Sequence, residues 1–325
     1  MKILALALLA LSFIAAGAAY ASAVNAPSET PEFYLLQGKW QLAIEGYKDI
    51  AEPTVHDLLM LADAYFYSGN YDLARLTWKT ALKKEDNADS KISLAMLDAI
   101  KKKRHIKKLE AMLRDLSDNA RLWRATGIAH MKNGLDDRAI YYFQVAAEKN
   151  PGDYMSYFYI GNIYENHFLF GEAAEAYKKS IGINPNYAQA LNNLGYSHKE
   201  RHFWTYAIEM YRRAVEIMPE NASFLYNLGN AYNHKEMRQE AFECYQKAVQ
   251  LEPEFAKAHY NLGKAYIRKG IYRQGLEELK LYVKFWNSSI SPADAPPPEE
   301  VENEIHDLEE LLIFQEDMGK RRPGK

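Results

Sequence analysis

Residues 222–255 read ASFLYNLGNAYNHKEMRQEAFECYQKAVQLEPEF, and this stretch decides the fold. Its first half spaces Leu225, Leu228 and Tyr232 by three and four residues. Its second half does the same with Ala241, Tyr245 and Ala248. That spacing is the amphipathic helical period. Pro253 ends the second run, because proline lacks a donor N–H and clashes with the preceding turn. The stretch is a helix–turn–helix unit.

Outward from it, the same unit returns at one fixed interval, the step from Gly195 to Gly229. Glycine recurs at Gly127, Gly161, Gly195, Gly229 and Gly263. A small residue follows twelve positions later, at Ala139, Ala173, Ala207, Ala241 and Gly275. Pro151, Pro185, Pro219 and Pro253 close four units. A fixed period of this length predicts stacked helical hairpins. Each hairpin alone leaves an apolar face wet, and stacking buries it. The regular units are 120–153, 154–187, 188–221, 222–255 and 256–289.

Several matches in register make the chain resemble the tetratricopeptide repeat family. The carrying residues in 222–255 are Leu225, Leu228-Gly229, Tyr232, Ala241, Tyr245, Ala248 and Pro253. The resemblance implies an all-α, right-handed superhelical solenoid whose first helices line a concave surface. It also implies a protein-binding scaffold.

The flanks are less regular. Residues 55–119 hold two degenerate repeats, the second with a shortened second helix, and 31–54 a partial hairpin broken at Gly38. The basic run Lys101 to Lys108 reads as a solvated turn. Its cations oppose the helix dipole, which leaves an anionic lipid surface or an acidic partner as the alternative. In the last unit Gly275, Leu279 and Tyr282 replace the usual residues, and Asn287 replaces proline. A Pro-rich linker, 290–298, leads to a helix at 299–317 and a basic tail at 318–325. The stripe Val301, Ile305, Leu308 and Leu312 predicts a cap over the last open face, with docking elsewhere as the rival.

Residues 1–23 are a separate object. Lys2, the apolar run Ile3 to Ala19 and Ala21-Ser22-Ala23 predict a secretory signal cleaved after Ala23. An uncleaved anchor is the alternative, since the run approaches the ~18–20 residues that span a bilayer. The leader resembles a Gram-negative export signal, which predicts a periplasmic or otherwise exported mature chain. The single cysteine, Cys244, excludes an intramolecular disulfide.

The chain has 325 residues, 48% of them hydrophobic and 26% charged, in the proportions of a folded soluble protein. A net charge of −3 gives no argument for nucleic acid. No phosphate loop, His-Glu-x-x-His or nucleophile elbow is present, so neither an enzyme nor a cofactor is expected. His198 and His202 are four apart, but His198 and His130 occupy the packing position held by Tyr164, Tyr232 and Tyr266. They read as core or cap residues, not metal ligands.

The candidate site lies on the first helices. Asn193, Asn227 and Asn261 recur at the sixth position, which by the resemblance faces the groove. A carboxamide bonds both groups of a peptide unit without regard to side chains. Around this ladder fall Asn162, Asn230, Tyr159, Tyr196 and Tyr226. Cations stand at both ends, Arg121 and Arg124 at one, Lys257, Lys264 and Arg268 at the other. The carboxylate-clamp pattern of the family is only partly met, at Asn227 and Lys257. The expected partner is a protein or an extended peptide. A glycan stacked on the tyrosines is the alternative, membrane contact would come only through the leader or the basic turn, and self-association is left open.

Overall fold

The computed structural model describes residues 30–286 and 296–320, with the side chains of 317–320 left out. The leader, most of the linker and the end of the basic tail lie outside the described residues. All regular structure among the described residues is helical. The described residues fall into two compact units, divided between Arg201 and His202.

In the first unit a short hairpin comes first, α1 (Pro31–Gln37) and α2 (Trp40–Lys48). Then come α3 (Val55–Tyr67), α4 (Tyr71–Lys84), α5 (Ala88–Lys101), a 3-10 turn (Lys103–His105) and α6 (Ile106–Asp115). Helix α6 is ten residues long where the second helices of the other full repeats have fourteen, as the sequence anticipates. The unit continues with α7 (Ala120–Lys132), α8 (Asp136–Lys149), α9 (Tyr154–Asn166), α10 (Phe170–Ile183) and α11 (Ala188–Glu200). The second unit holds α12 (Trp204–Ile217), α13 (Ala222–His234), α14 (Arg238–Leu251), α15 (Ala256–Arg268), α16 (Tyr272–Phe285) and α17 (Pro298–Lys320). First helices begin at Ala120, Tyr154, Ala188, Ala222 and Ala256, in step with the glycine interval.

The recurring glycine has a steric cause. A Cβ at Gly161 would sit 2.5 Å from the Tyr177 ring, and one at Gly229 2.7 Å from Tyr245. The two helices of a hairpin approach so closely that the second-helix ring occupies the place of a side chain. Phe143, Tyr177 and Tyr245 are each fully buried there.

The hairpin turns share one geometry. The N–H groups of Leu135, Leu169, Met237 and Ile271 bond the carbonyls of His130, Tyr164, Tyr232 and Tyr266, closing each first helix with a Schellman turn. The turn needs one left-handed residue. Gly134 and Gly270 supply it with φ of 69° and 75°, but Phe168, His202 and Glu236 adopt φ of 59–61° in the same phase. These three carry strain that a glycine would not.

Caps and core exchange roles at the helix starts. Asn119 and Asn221 accept from the Leu122 and Phe224 N–H groups, each at 3.0 Å. The equivalent Tyr187 caps nothing and is 2% exposed, with its ring edge-on to Tyr154 and Phe158. Phe255 likewise sits 5.1 Å from the Tyr226 ring.

Helix α17 runs to Lys320, beyond the expected end at 317. Val301 and Leu308 are buried against Leu276, Leu279 and Tyr282. Ion pairs Lys264–Glu304 (2.6 Å), Lys280–Glu309 (2.6 Å) and Arg273–Glu316 (2.7 Å) flank that seam. The Tyr282 hydroxyl donates to the Pro296 carbonyl. The helix covers the α16 face of its own unit.

Candidate protein-binding face

The asparagine column is a set of crosslinks before it is a binding surface. Asn261 Nδ2 donates to Asn230 Oδ1 at 2.9 Å, and the Tyr245 hydroxyl donates to the same oxygen at 2.8 Å. In the first unit Asn193 Nδ2 donates to Asn162 Oδ1 at 3.1 Å, and the Tyr177 hydroxyl donates to it at 2.7 Å. Each network ties both helices of one hairpin to the first helix of the next. Asn193 Oδ1 also accepts from Asn192 Nδ2 at 3.2 Å. Part of the ladder's bonding capacity is therefore internal.

The sequence reading missed this coupling, though it left a trace. Asn162 and Tyr177 stand 15 residues apart, as do Asn230 and Tyr245. The residue types at these paired positions change together in four of the five regular repeats. Asn162 goes with Tyr177 and Asn230 with Tyr245, whereas Ile128 goes with Phe143 and Lys264 with Leu279. A carboxamide stands opposite a tyrosine in two of them, and the pair Tyr196 with Tyr211 departs from the pattern.

In the first unit Asn162, Asn193 and Tyr196 are half-buried, but the expected cations are ion-paired and Tyr159 is buried. Arg121 reads as an open cation in the sequence, but it bonds Asp63 at 2.7 Å and Ser93 at 2.9 Å. Burial opposes its charge, yet Asp63 and Asp89 outweigh that and hold the guanidinium more firmly protonated than usual. Arg124 reads likewise, but it pairs at 2.6 Å with Asp153, whose side chain is 1% exposed. Burial again opposes the charge, and Asp153 reverses the balance. A cavity of only about 20 Å³ remains beside the two arginines. Tyr159 is expected to face a ligand, but its ring stacks on Phe143 at 5.2 Å and is 9% exposed. Burial, first of all, pushes its hydroxyl pKa well up. Tyr196 is half-buried beneath Lys199, whose Nζ lies 4.5 Å from the ring centre.

In the second unit the candidate polar residues are also partly accessible. Asn227 and Asn230 on α13, and Lys257, Asn261 and Lys264 on α15, are all half-buried, and Arg268 is exposed at the helix end. Two corrections apply here too. Tyr226 is 6% exposed, against Phe255 and Tyr245, so it offers little platform. Lys264 is tied to Glu304 of α17. Arg268 reaches Asn233 Oδ1 at 3.3 Å.

A groove of about 640 Å³ lies elsewhere in the first unit, lined by Tyr157, Ile160, Tyr164, Glu148 and Glu172. No ladder residue lines it. Among the described residues no cluster of three metal-capable side chains occurs, and no helix is long and apolar enough to cross a membrane. Burial raises the Cys244 thiol pKa to about 12, which disfavours its thiolate at neutral pH.

Family models agree with the geometry. A TPR repeat model matches residues 204–234 and 239–270, and two tetratricopeptide repeat models match 59–97 with 106–154, and 156–187. The chain belongs to the tetratricopeptide repeat family. The matches reach into the degenerate repeats as well as the regular ones.

Solved structures of similar fold include a MamA fragment from Desulfovibrio magneticus RS-1, 25% identical with a TM-score of 0.47. The match covers 51% of this chain and 94% of that one. YrrB, described as a TPR protein with an unusual peptide-binding site, is 19% identical with a TM-score of 0.49, over 55% of this chain and 91% of that one. The APC/C hetero-tetramer Cut9-Hcn1 is 15% identical with a TM-score of 0.49, over 82% of this chain and 46% of that one. No curated protein sequence matches the chain.

Proposed function

We propose that this tetratricopeptide repeat protein is an exported interaction scaffold. It holds a protein or extended peptide segment against the first-helix face of residues 222–268, in assembly of the cell envelope. One observation carries the reading. Asn227, Asn230, Lys257 and Asn261 share adjacent first helices and stay half-buried, whereas the first unit's candidate cations Arg121 and Arg124 are held by Asp63 and Asp153 and its Tyr159 is buried. Half-buried carboxamides beside a cation suit main-chain groups and an acidic side chain or carboxylate. The leader at residues 1–23 supports export.

The glycan alternative relied on open tyrosines. Of the three, Tyr159 and Tyr226 are 9% and 6% exposed and half-buried Tyr196 lies under Lys199, so no observation favours it.

The test is affinity capture from an envelope fraction with the parent chain and with Asn227→Ala/Asn261→Ala, checked for equal helix content. A partner enriched by the parent and lost with the variant supports the reading. The same proteins captured by both would remove the ladder from it. N-terminal sequencing of the exported chain checks cleavage after Ala23.

A further inference from the structure

Helix α1 is seven residues long and ends at Gly38, which has a φ of 74°. The last turn of a helix leaves carbonyls without intrahelical partners. Two are satisfied locally. Leu35 O accepts from the Gly38 N–H at 3.0 Å, and Tyr34 O from the Lys39 N–H at 2.8 Å. Two more are satisfied by side chains far along the chain. Asn184 Nδ2 donates to Leu36 O at 2.8 Å, across 148 residues. Gln189 Nε2 donates to Gly38 O at 2.9 Å, across 151 residues.

These contacts have the character of a recognition site. Asn184 is 4% exposed, and its Oδ1 accepts from the Asn186 N–H at 3.2 Å, which turns the amide nitrogen toward α1. Gln189 crosses Gly38 so closely that any Cβ there would collide with its amide. Two carboxamides thus read two main-chain carbonyls and require a glycine between helix and linker. They read nothing of the flanking side chains. Yet the seam is not finished as a permanent core is. Gln37 Oε1 and Gln189 Oε1 are buried without a hydrogen-bond partner among the described residues. A helix as short as α1 also has little stability of its own.

We propose that Asn184 and Gln189 form a clamp for a helix end closed by glycine. Segment Pro31–Gly38 is its resident intramolecular ligand, and an outside partner presenting the same kind of helix end engages the clamp by displacing it. The tether gives the resident segment a high effective concentration, so a free competitor meets an occupied site. The outside partner rests on the reading of the chain as a peptide-binding scaffold. The clamp itself does not, because its probe is the chain's own sequence.

The test uses the full chain, its Gly38→Ala variant, and a fluorescent peptide with the sequence of residues 30–39. Gly38→Ala is expected to bind the peptide at least tenfold tighter than the parent. Adding Asn184→Ala and Gln189→Ala should abolish binding, and a peptide carrying Gly38→Ala should not bind. Equal, weak binding to parent and Gly38→Ala, with equal circular dichroism, overturns the proposal. Hydrogen exchange on the unmodified chain decides independently if the variant fails to fold. Amides 34–39 are expected to exchange at least tenfold faster than amides 43–47 of α2, and equal protection overturns the proposal.

Discussion

The Tyr245 hydroxyl donates to Asn230 Oδ1 at 2.8 Å, and through that oxygen one hairpin grips the next, because Asn261 Nδ2 donates to it as well. Tyr245→Phe removes one of the two donors from that oxygen. The expected loss is about 0.5–1.5 kcal/mol, read as a lower denaturant midpoint at unchanged slope. Phe143→Tyr is the converse. Its new hydroxyl would point toward Ile128, which has no acceptor, so it too should destabilise, although it copies the neighbouring repeats.

Two glycines on hairpin 154–183 separate steric need from backbone entropy. At Gly161 a Cβ would meet the Tyr177 ring at 2.5 Å. Gly161→Ala should cost about 1–3 kcal/mol through overpacking. At Gly182, near the end of α10, a Cβ meets nothing within 4 Å. Gly182→Ala should stabilise by about 0.4–1 kcal/mol by restricting the unfolded chain. Thermal melts of the two variants should move in opposite directions.

Arg124 offers a sharp contrast between structure and binding. Its partner Asp153 is buried and also caps α9, with Ser156 Oγ donating to it at 2.8 Å. Arg124→Ala leaves that carboxylate without its cation and should destabilise by about 3–5 kcal/mol. Lys257→Ala, on the second unit, should weaken partner capture at equal helix content. A stable Arg124→Ala chain would contradict the structural role assigned to the pair.

Two buried histidines predict opposite pH responses. Burial pulls the His130 pKa down, against the pull of Glu110. A histidine of lowered pKa is fully stabilising above about 6.5, its ordinary value, and that stability is lost as pH falls through the folded value. Burial also acts on His259, but Glu278 at 2.6 Å and the Pro253 carbonyl at 2.9 Å outweigh it and raise the pKa. Its contribution is complete below about 6.5 and is lost as pH rises through the folded value. His130→Gln should flatten the acid side of the stability profile, and His259→Gln the near-neutral to alkaline side. Ring-proton titration by NMR should place the two pKa values on either side of the ordinary one.

The repeat period carried the fold, because each helix start is a local matter of spacing and punctuation. Ala120, Tyr154, Ala188, Ala222 and Ala256 begin helices where the repeat register places them. The site was legible only in part. Whether a polar residue on a first helix faces water depends on residues far away in sequence. Arg121 looks like an open cation until Asp63, 58 residues earlier, is set against it. Tyr159 reads as a platform until Phe143 covers it. The docking of Leu36 and Gly38 on Asn184 and Gln189 has no periodic signature, since α1 belongs to no full repeat. The pairing of an acceptor such as Asn230 with a hydroxyl such as Tyr245 was open to inspection. It is the kind of signal a repeat sequence can yield without an alignment.

An array of identical hairpins is, in principle, a polymerisation with no stopping rule, because each new unit exposes the same sticky face that the last one covered. Helix α17 is the chain's terminating reagent. It spends Val301, Ile305 and Leu308 on the α16 face and turns a charge-rich back outward. The length of the array is therefore set by where that helix is encoded. Moving its coding segment upstream by whole repeats should give shorter chains that remain soluble.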